Sequence, residues 1–172
     1  MSRTGPARRK PFAERTDAEK RRYSAVALAE LLVGDPRLIS EHRSQFLGFS
    51  IWKYTEADGG KWGTRYRSAG AISDVRGTPL NHEHVVPIKA LVDRMLESPE
   101  RVSEIMAVAV ACLVTVDEHG RLHAAEADQP APDLRAPLNE LVRWGWHRYQ
   151  TAGIEVWDMG NQTPVDLARL GQ

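Results

Sequence analysis

Residues 81–87 read Asn81-His82-Glu83-His84-Val85-Val86-Pro87 (NHEHVVP), and the fold turns on this stretch. From Leu80 to Val86 the β-branched end suits a strand, and Pro87 both closes it and opens a helix over Ile88–Leu96. Alternate residues of a strand share a face, so His82 and His84 point the same way. A carboxylate beside a histidine, on a strand that a proline stops, brings a hard metal ligand close to a candidate general base. The spacing is not His-Glu-x-x-His, so zinc-protease chemistry is not expected. Farther along, Cys112–Val116 (CLVTV) is the best strand in the chain by its β-branched content, and His119 follows it at the opening of a helical turn. Pairing of the two strands brings His119 back toward Glu83 and His84. The expectation is that all three converge on one gap that an ion and a water could fill, and a His119 facing away from His84 overturns the reading of the three as one site.

On the N-terminal side, Tyr23, Val26, Ala27, Leu31 and Leu32 recur at helical spacing, which predicts a helix over Ala18–Val33 with Gly34 as its stop. Leu38 to Trp52 repeats the pattern, with Asp35 as cap and Pro36 in the first turn, and His42 falls on its apolar stripe. Lys61–Arg67 (KWGTRYR) shows no period and reads as a loop. Ser68 caps a short helix over Ala69–Val75. On the C-terminal side, Ser98-Pro99 starts a helix running to about Val110. Asp117–His123 makes one or two helical turns, and the Ala/Pro-rich stretch to Pro137 is a linker or loop. Asn139–Thr151 is a helix ended by Gly153, Ile154–Trp157 a strand, and Thr163-Pro164 the cap of a last helix over Val165–Leu170. The sum is a mostly helical α+β domain with a small sheet.

The chain has 172 residues, 42% hydrophobic and 27% charged, which is ordinary globular composition and excludes a wholly disordered protein. Its longest apolar run, Ile105–Val116, is too short to cross a membrane, which takes roughly 20 residues. The polar N-terminus lacks the apolar region of a secretory signal, so a cytoplasmic protein is expected. A single cysteine, Cys112, excludes an intramolecular disulfide and a Cys-rich zinc ribbon. Lys and Arg total 23 against 23 Asp and Glu, yet residues 1–22 hold eight basic and three acidic side chains. A net +5 arm, read as flexible, thus precedes a −5 single domain over residues 23–172. Such an arm suits a phosphate backbone, because each neutralised phosphate releases counterions. Lys61, Arg65 and Arg67 alternate with Trp62 and Tyr66, a pattern that grips phosphates while rings stack on bases.

Glu83-His84-Val85-Val86-Pro87, followed by Leu113-Val114-Thr115-Val116 and His119, resembles the HNH, or ββα-metal, nuclease motif. The resemblance covers about residues 78–123. It implies a small antiparallel ββα-metal hairpin core, here braced by flanking helices, and hydrolysis of DNA phosphodiester bonds with one divalent ion. The ion implied is Mg2+, with Mn2+ or Zn2+ as alternatives, and RNA is left open as substrate. Carried onto this sequence, His84 is the general base, and Glu83 and His119 hold the metal. By their positions alone, His82 is an auxiliary ligand or a solvent neighbour, His123 a flank of the metal or an exposed helix end, and Arg121 a candidate phosphate contact. A neutral imidazole with an ordinary pKa of about 6.5 accepts a proton at neutral pH. A bound cation stabilises charge building on a phosphate oxygen. Two departures stand out: Cys112 occupies the place where many members have asparagine, and a long helical stretch links the two halves of the motif. They keep an alternative in view, a catalytically inactive HNH-like module that binds nucleic acid or a protein partner. A helical regulator using the Trp-rich C-terminal half is a third reading.

Overall fold

The computed structural model of the chain describes residues 12–73, 79–167 and 169. Among these residues the fold is α+β and 55% helical, with seven α-helices and one five-stranded mixed sheet. Helix α1 (Ala18–Val33) ends at Gly34, as its periodicity predicts, and α2 (Ser40–Thr55) packs against it. Asp35 does not cap α2, which starts after Ile39; its carboxylate instead accepts from Arg37 N at 2.9 Å. Strand β1 (Tyr66–Ser68) passes directly into α3 (Ala69–Ser73), and Ser68 Oγ accepts from Ala71 N at 2.9 Å, the capping role its position predicts.

Strand β2 (Leu80–His84) is followed by α4 (Ile88–Glu97), a 3-10 turn (Pro99–Arg101) and α5 (Val102–Ala107). These lead to β3 (Ala111–Thr115), α6 (Val116–Asp128), α7 (Leu138–Thr151), β4 (Val156–Asp158) and β5 (Thr163–Pro164). The sheet order is β2-β3-β1-β4-β5, with β1 parallel to β3 and the other neighbours antiparallel.

The expected ββα-metal hairpin is corrected: β2 and β3 do pair antiparallel, but α4 and α5 lie between them in the chain, the pair is one edge of a larger mixed sheet, and no ββα-metal motif is shown among the described residues. Tyr66–Ser68, of which Tyr66 and Arg67 are read as loop and Ser68 as a helix cap, is its central strand: three residues show no period of their own, and pairing with β3 and β4 makes them a strand. Thr163 and Pro164 do not cap a helix but form the edge strand β5, where a proline's missing N–H is tolerated. Helix α6 also runs well past His123, into the stretch read as linker.

The core has three parts. Ala25, Ala29, Leu47, Ile51, Leu91, Met95, Ile105 and Met106 knit α1, α2, α4 and α5 together. Between the sheet and helices α6 and α7 lie Val85, Cys112, Val114, Leu122, Trp146, Tyr149 and Val156. On the other sheet face, Leu80 and Leu113 pack on Ala71 of α3. Close approach of α7 to the end of β2 depends on Gly145, where an added Cβ would stand 2.7 Å from Val85 O.

The basic arm is corrected in part. Residues 1–11 lie outside the described residues, but residues 12–22 are tied to the body. Phe12 N donates to Met159 O at 3.2 Å, Arg15 N donates to Asp58 O at 2.8 Å, and α1 already begins at Ala18. Arg22 pairs with both Asp58 and Glu14. Among the described residues no helix is long and apolar enough to cross a membrane.

Candidate functional site

Strand β2 pairs with β3 in the register His82↔Leu113, Glu83↔Cys112 and His84↔Ala111. Side chains alternate across a strand, so Glu83 shares the α6/α7 face with Cys112, while Leu80, His82 and His84 share the opposite face with Leu113. The convergence expected of Glu83, His84 and His119 is overturned: Glu83 meets His119 on one face while His84 lies on the other, so the acid-His pair is divided between two environments.

On the far face both imidazoles are buried. His82 Nε2 and His84 Nε2 each lie 3.1 Å from Thr55 Oγ1 of α2, and His82 Nδ1 lies 2.9 Å from Lys61 O. A carbonyl only accepts, so His82 donates from Nδ1 and its Nε2 is an acceptor for the Thr55 hydroxyl, whose single proton is shared between it and Trp52 O at 3.2 Å. His84 Nε2–H then donates to Thr55 Oγ1. Trp52 stacks on His82 at 4.7 Å and meets His84 edge-on at 4.9 Å. Burial, and after it the neighbouring His82, push His84 down to about 3; burial likewise lowers His82. At 5% exposure, and with Nε2 spent on Thr55, His84 is not placed as a base for chemistry at Glu83. That expectation is corrected, and so is an auxiliary-ligand role for His82. His42, read as a core residue, is exposed.

On the near face the expected partners meet. Glu83 Oε2 lies 2.7 Å from His119 Nδ1, and His119 Nε2 lies 3.1 Å from His123 Nε2, one turn along α6. Helix α6 is aimed by its start: Thr115 Oγ1 accepts from Glu118 N at 3.2 Å while Glu118 Oε2 accepts from Thr115 N at 2.8 Å. Ser68 Oγ adds a donor to the same carboxylate oxygen at 2.5 Å, which ties the helix to the sheet. His119 is part-buried and His123 exposed.

Sequence reasoning missed Arg148, which is 0% exposed. Its Nη1 donates to Val85 O at 3.0 Å, and its Nη2 reaches Glu83 Oε1 at 3.3 Å and Glu126 Oε2 at 3.0 Å. Its guanidinium also lies over Trp144, 5.6 Å from the ring centroid. A signal was present: Leu141, Gly145, Arg148 and Tyr149 form the buried stripe of α7, and a cation in such a stripe calls for a carboxylate on the element it covers.

The expected phosphate-gripping residues separate. Arg65 makes a two-point pair with Asp158 at 3.0 and 2.8 Å. Arg67 is buried and donates to Thr64 O at 3.3 Å, so it is not a surface contact. Lys61 stays exposed, 4.8 Å over the ring of Trp62, itself 48% exposed. Arg121 donates to Ala152 O at 2.6 Å, at the C-terminal end of α7, rather than standing beside His119. Cys112 is fully buried opposite Glu83, and burial raises its thiol well above the ordinary value.

Among the described residues no three His, Cys, Asp or Glu groups are arranged as a ready-made ion cage. Two imidazoles are nonetheless close: the His119 and His123 Nε2 atoms are separated by 3.1 Å, a hydrogen-bond distance that is also near the spacing of about 3.3 Å between nitrogens on one tetrahedral ion. Glu83 lies behind His119 as the acceptor that fixes its tautomer, not beside it as a second ligand. Imidazole pairs favour Zn2+ or a similar ion over the Mg2+ that the sequence suggests. No protein-family model, curated protein or solved structure matches the chain.

Proposed function

We propose that the chain is a metal-dependent phosphodiesterase of the HNH-like kind, acting on DNA, with its working face at Glu83, His119 and His123. The Glu83–His119 contact at 2.7 Å carries this reading, because it joins the strand and the helix that the motif pairs. Glu83 accepts from His119 Nδ1–H, which leaves the Nε2 lone pair facing His123. His119 and His123 are the residues that would hold a divalent ion. Such an ion, when bound, supplies an acidified water and a counter-charge for the phosphate oxygens. The reaction is in-line attack of water on phosphorus with cleavage of one P–O ester bond. His123, exposed at the rim, would hold the ion where substrate can reach it.

A second reading, a non-catalytic module on the same fold that binds nucleic acid or a protein partner, draws on one observation: the imidazole expected as base is sealed under Trp52 and Thr55. Incubation of the full chain with supercoiled plasmid and Mg2+, Mn2+ or Zn2+ separates the two. Nicking that is lost in His119→Ala supports the phosphodiesterase. No nicking with any ion, with zinc binding retained, supports the module.

A further inference from the structure

Arg148 stands on α7, apart from the motif, yet it touches three of the parts that set the geometry around His119. Its Nη1 bonds Val85 O at 3.0 Å at the end of β2, and its Nη2 contacts Glu83 Oε1 at 3.3 Å and Glu126 Oε2 of α6 at 3.0 Å. The side chain is completely buried, whereas the Glu83 side chain keeps 12% exposure and Glu126 keeps 35%. Gly145, one turn before it, is the residue that lets α7 come close enough for this reach, since a Cβ there would strike Val85 O at 2.7 Å.

We propose that Arg148 is a positioning residue: by holding Oε1 of Glu83 it turns Oε2 onto His119 Nδ1 and so decides which imidazole nitrogen is free. A carboxylate oxygen only accepts, so the atom facing it must carry the proton. With Nδ1 protonated, a neutral His119 leaves its lone pair on Nε2, the atom 3.1 Å from His123 Nε2. Without Arg148, Glu83 loses the partner on Oε1 and is free to rotate toward solvent. Nδ1 then loses its acceptor, and His119 reverts to the Nε2–H form that a free histidine side chain prefers. A guanidinium suits this post because its fixed fork serves the Val85 carbonyl and two carboxylates at once, which a single ammonium does not. Glu126 shares Nη2 with Glu83 and ties the same cation to α6, the helix that carries both histidines. The inference rests on the working face proposed above.

The test is nitrogen-15 spectroscopy of the histidine rings in the full chain at one fixed alkaline pH, with zinc affinity measured alongside. The wild-type chain is expected to show His119 with its proton on Nδ1. Arg148→Met is expected to move the proton to Nε2 and to weaken zinc binding about tenfold or more, the usual cost of losing a group that orients a ligand. Glu126→Gln, which leaves the Glu83 contact in place, is expected to keep the wild-type tautomer. A folded Arg148→Met chain with the wild-type tautomer overturns the proposal; should that variant fail to fold, Arg148→Gln is read by the same criterion. A wild-type chain that binds no zinc overturns the metal reading instead, and the tautomer alone then decides the role of Arg148.

Discussion

Glu83 and His84, neighbours in the sequence, present their side chains to opposite faces of β2, Glu83 to His119 at 2.7 Å and His84 to Thr55 at 3.1 Å. The two faces impose different chemistry on adjacent residues. One is a part-open edge where a carboxylate and two imidazoles stand in line. The other is a closed pocket in which two imidazoles share one hydroxyl beneath an indole ring.

The closed pocket makes stability depend on pH. His84 is held at about 3 in the folded chain, against about 6.5 when unfolded. Its contribution is fully present above pH 6.5 and is lost as the unfolded chain takes up a proton at lower pH. The loss approaches ~1.4 kcal/mol per pH unit and levels off near pH 3. Denaturant unfolding at stepped pH should show this slope between pH 6 and 5, and His84→Gln should flatten it. An equal slope in both chains contradicts the assignment.

Gly145→Ala should destabilise the fold by about 1–3 kcal/mol, the range for overpacking a closed contact. The added methyl would meet a backbone carbonyl, Val85 O, which has no rotamer to yield. Thermal unfolding of the variant reads the effect directly, and an unchanged midpoint would mean that α7 sits farther from β2 than described.

Glu118→Ala removes the acceptor shared by Thr115 N, Thr115 Oγ1 and Ser68 Oγ. A cost of about 2–3 kcal/mol is expected, because buried donors are left without a partner and the capping box is broken. Fraying of the first turn of α6 should also displace His119, so zinc affinity should drop together with stability. Hydrogen exchange over residues 116–120 is the direct measurement.

Among the cations expected to hold nucleic acid, Lys61 and Arg65 should behave differently. Lys61→Ala should weaken DNA binding across all sequences and reduce the salt-dependence slope by about 0.9, the value for one phosphate contact. Arg65→Ala should instead cost about 1–2 kcal/mol of stability by leaving Asp158 without its two-point partner. Binding isotherms over a salt series, with thermal unfolding of both variants, check the pair.

Much of this architecture is legible in the chain. Helix α1 has the bounds its apolar period marks, but it buries Ala25, Ala29 and Val33 while Tyr23 and Leu31 of that period stay exposed; the strand character of CLVTV and the proline that opens α4 are local signals that survive folding. The strand Tyr66–Ser68 was not legible, because it is made by its neighbours in the sheet, as β5 is by β4. The Glu83–His119 pairing follows from two strands side by side and a helix started by Thr115 and Glu118. The place of His84 was legible but masked by the motif. The alternation that joins His82 to His84 also separates Glu83 from both. Arg148 belongs to no motif and becomes visible only when the buried stripe of α7 is laid over β2.

In the phosphodiesterase proposed above, the chemistry belongs to the Glu83–His119–His123 face and not to His84. Plasmid nicking by His84→Gln and His119→Ala, each verified as folded and compared with the wild-type chain under one divalent ion, tests it most directly. His84→Gln is expected to nick within a few fold of wild type, whereas His119→Ala is expected not to nick. Loss of nicking in His84→Gln with activity kept in His119→Ala would contradict it.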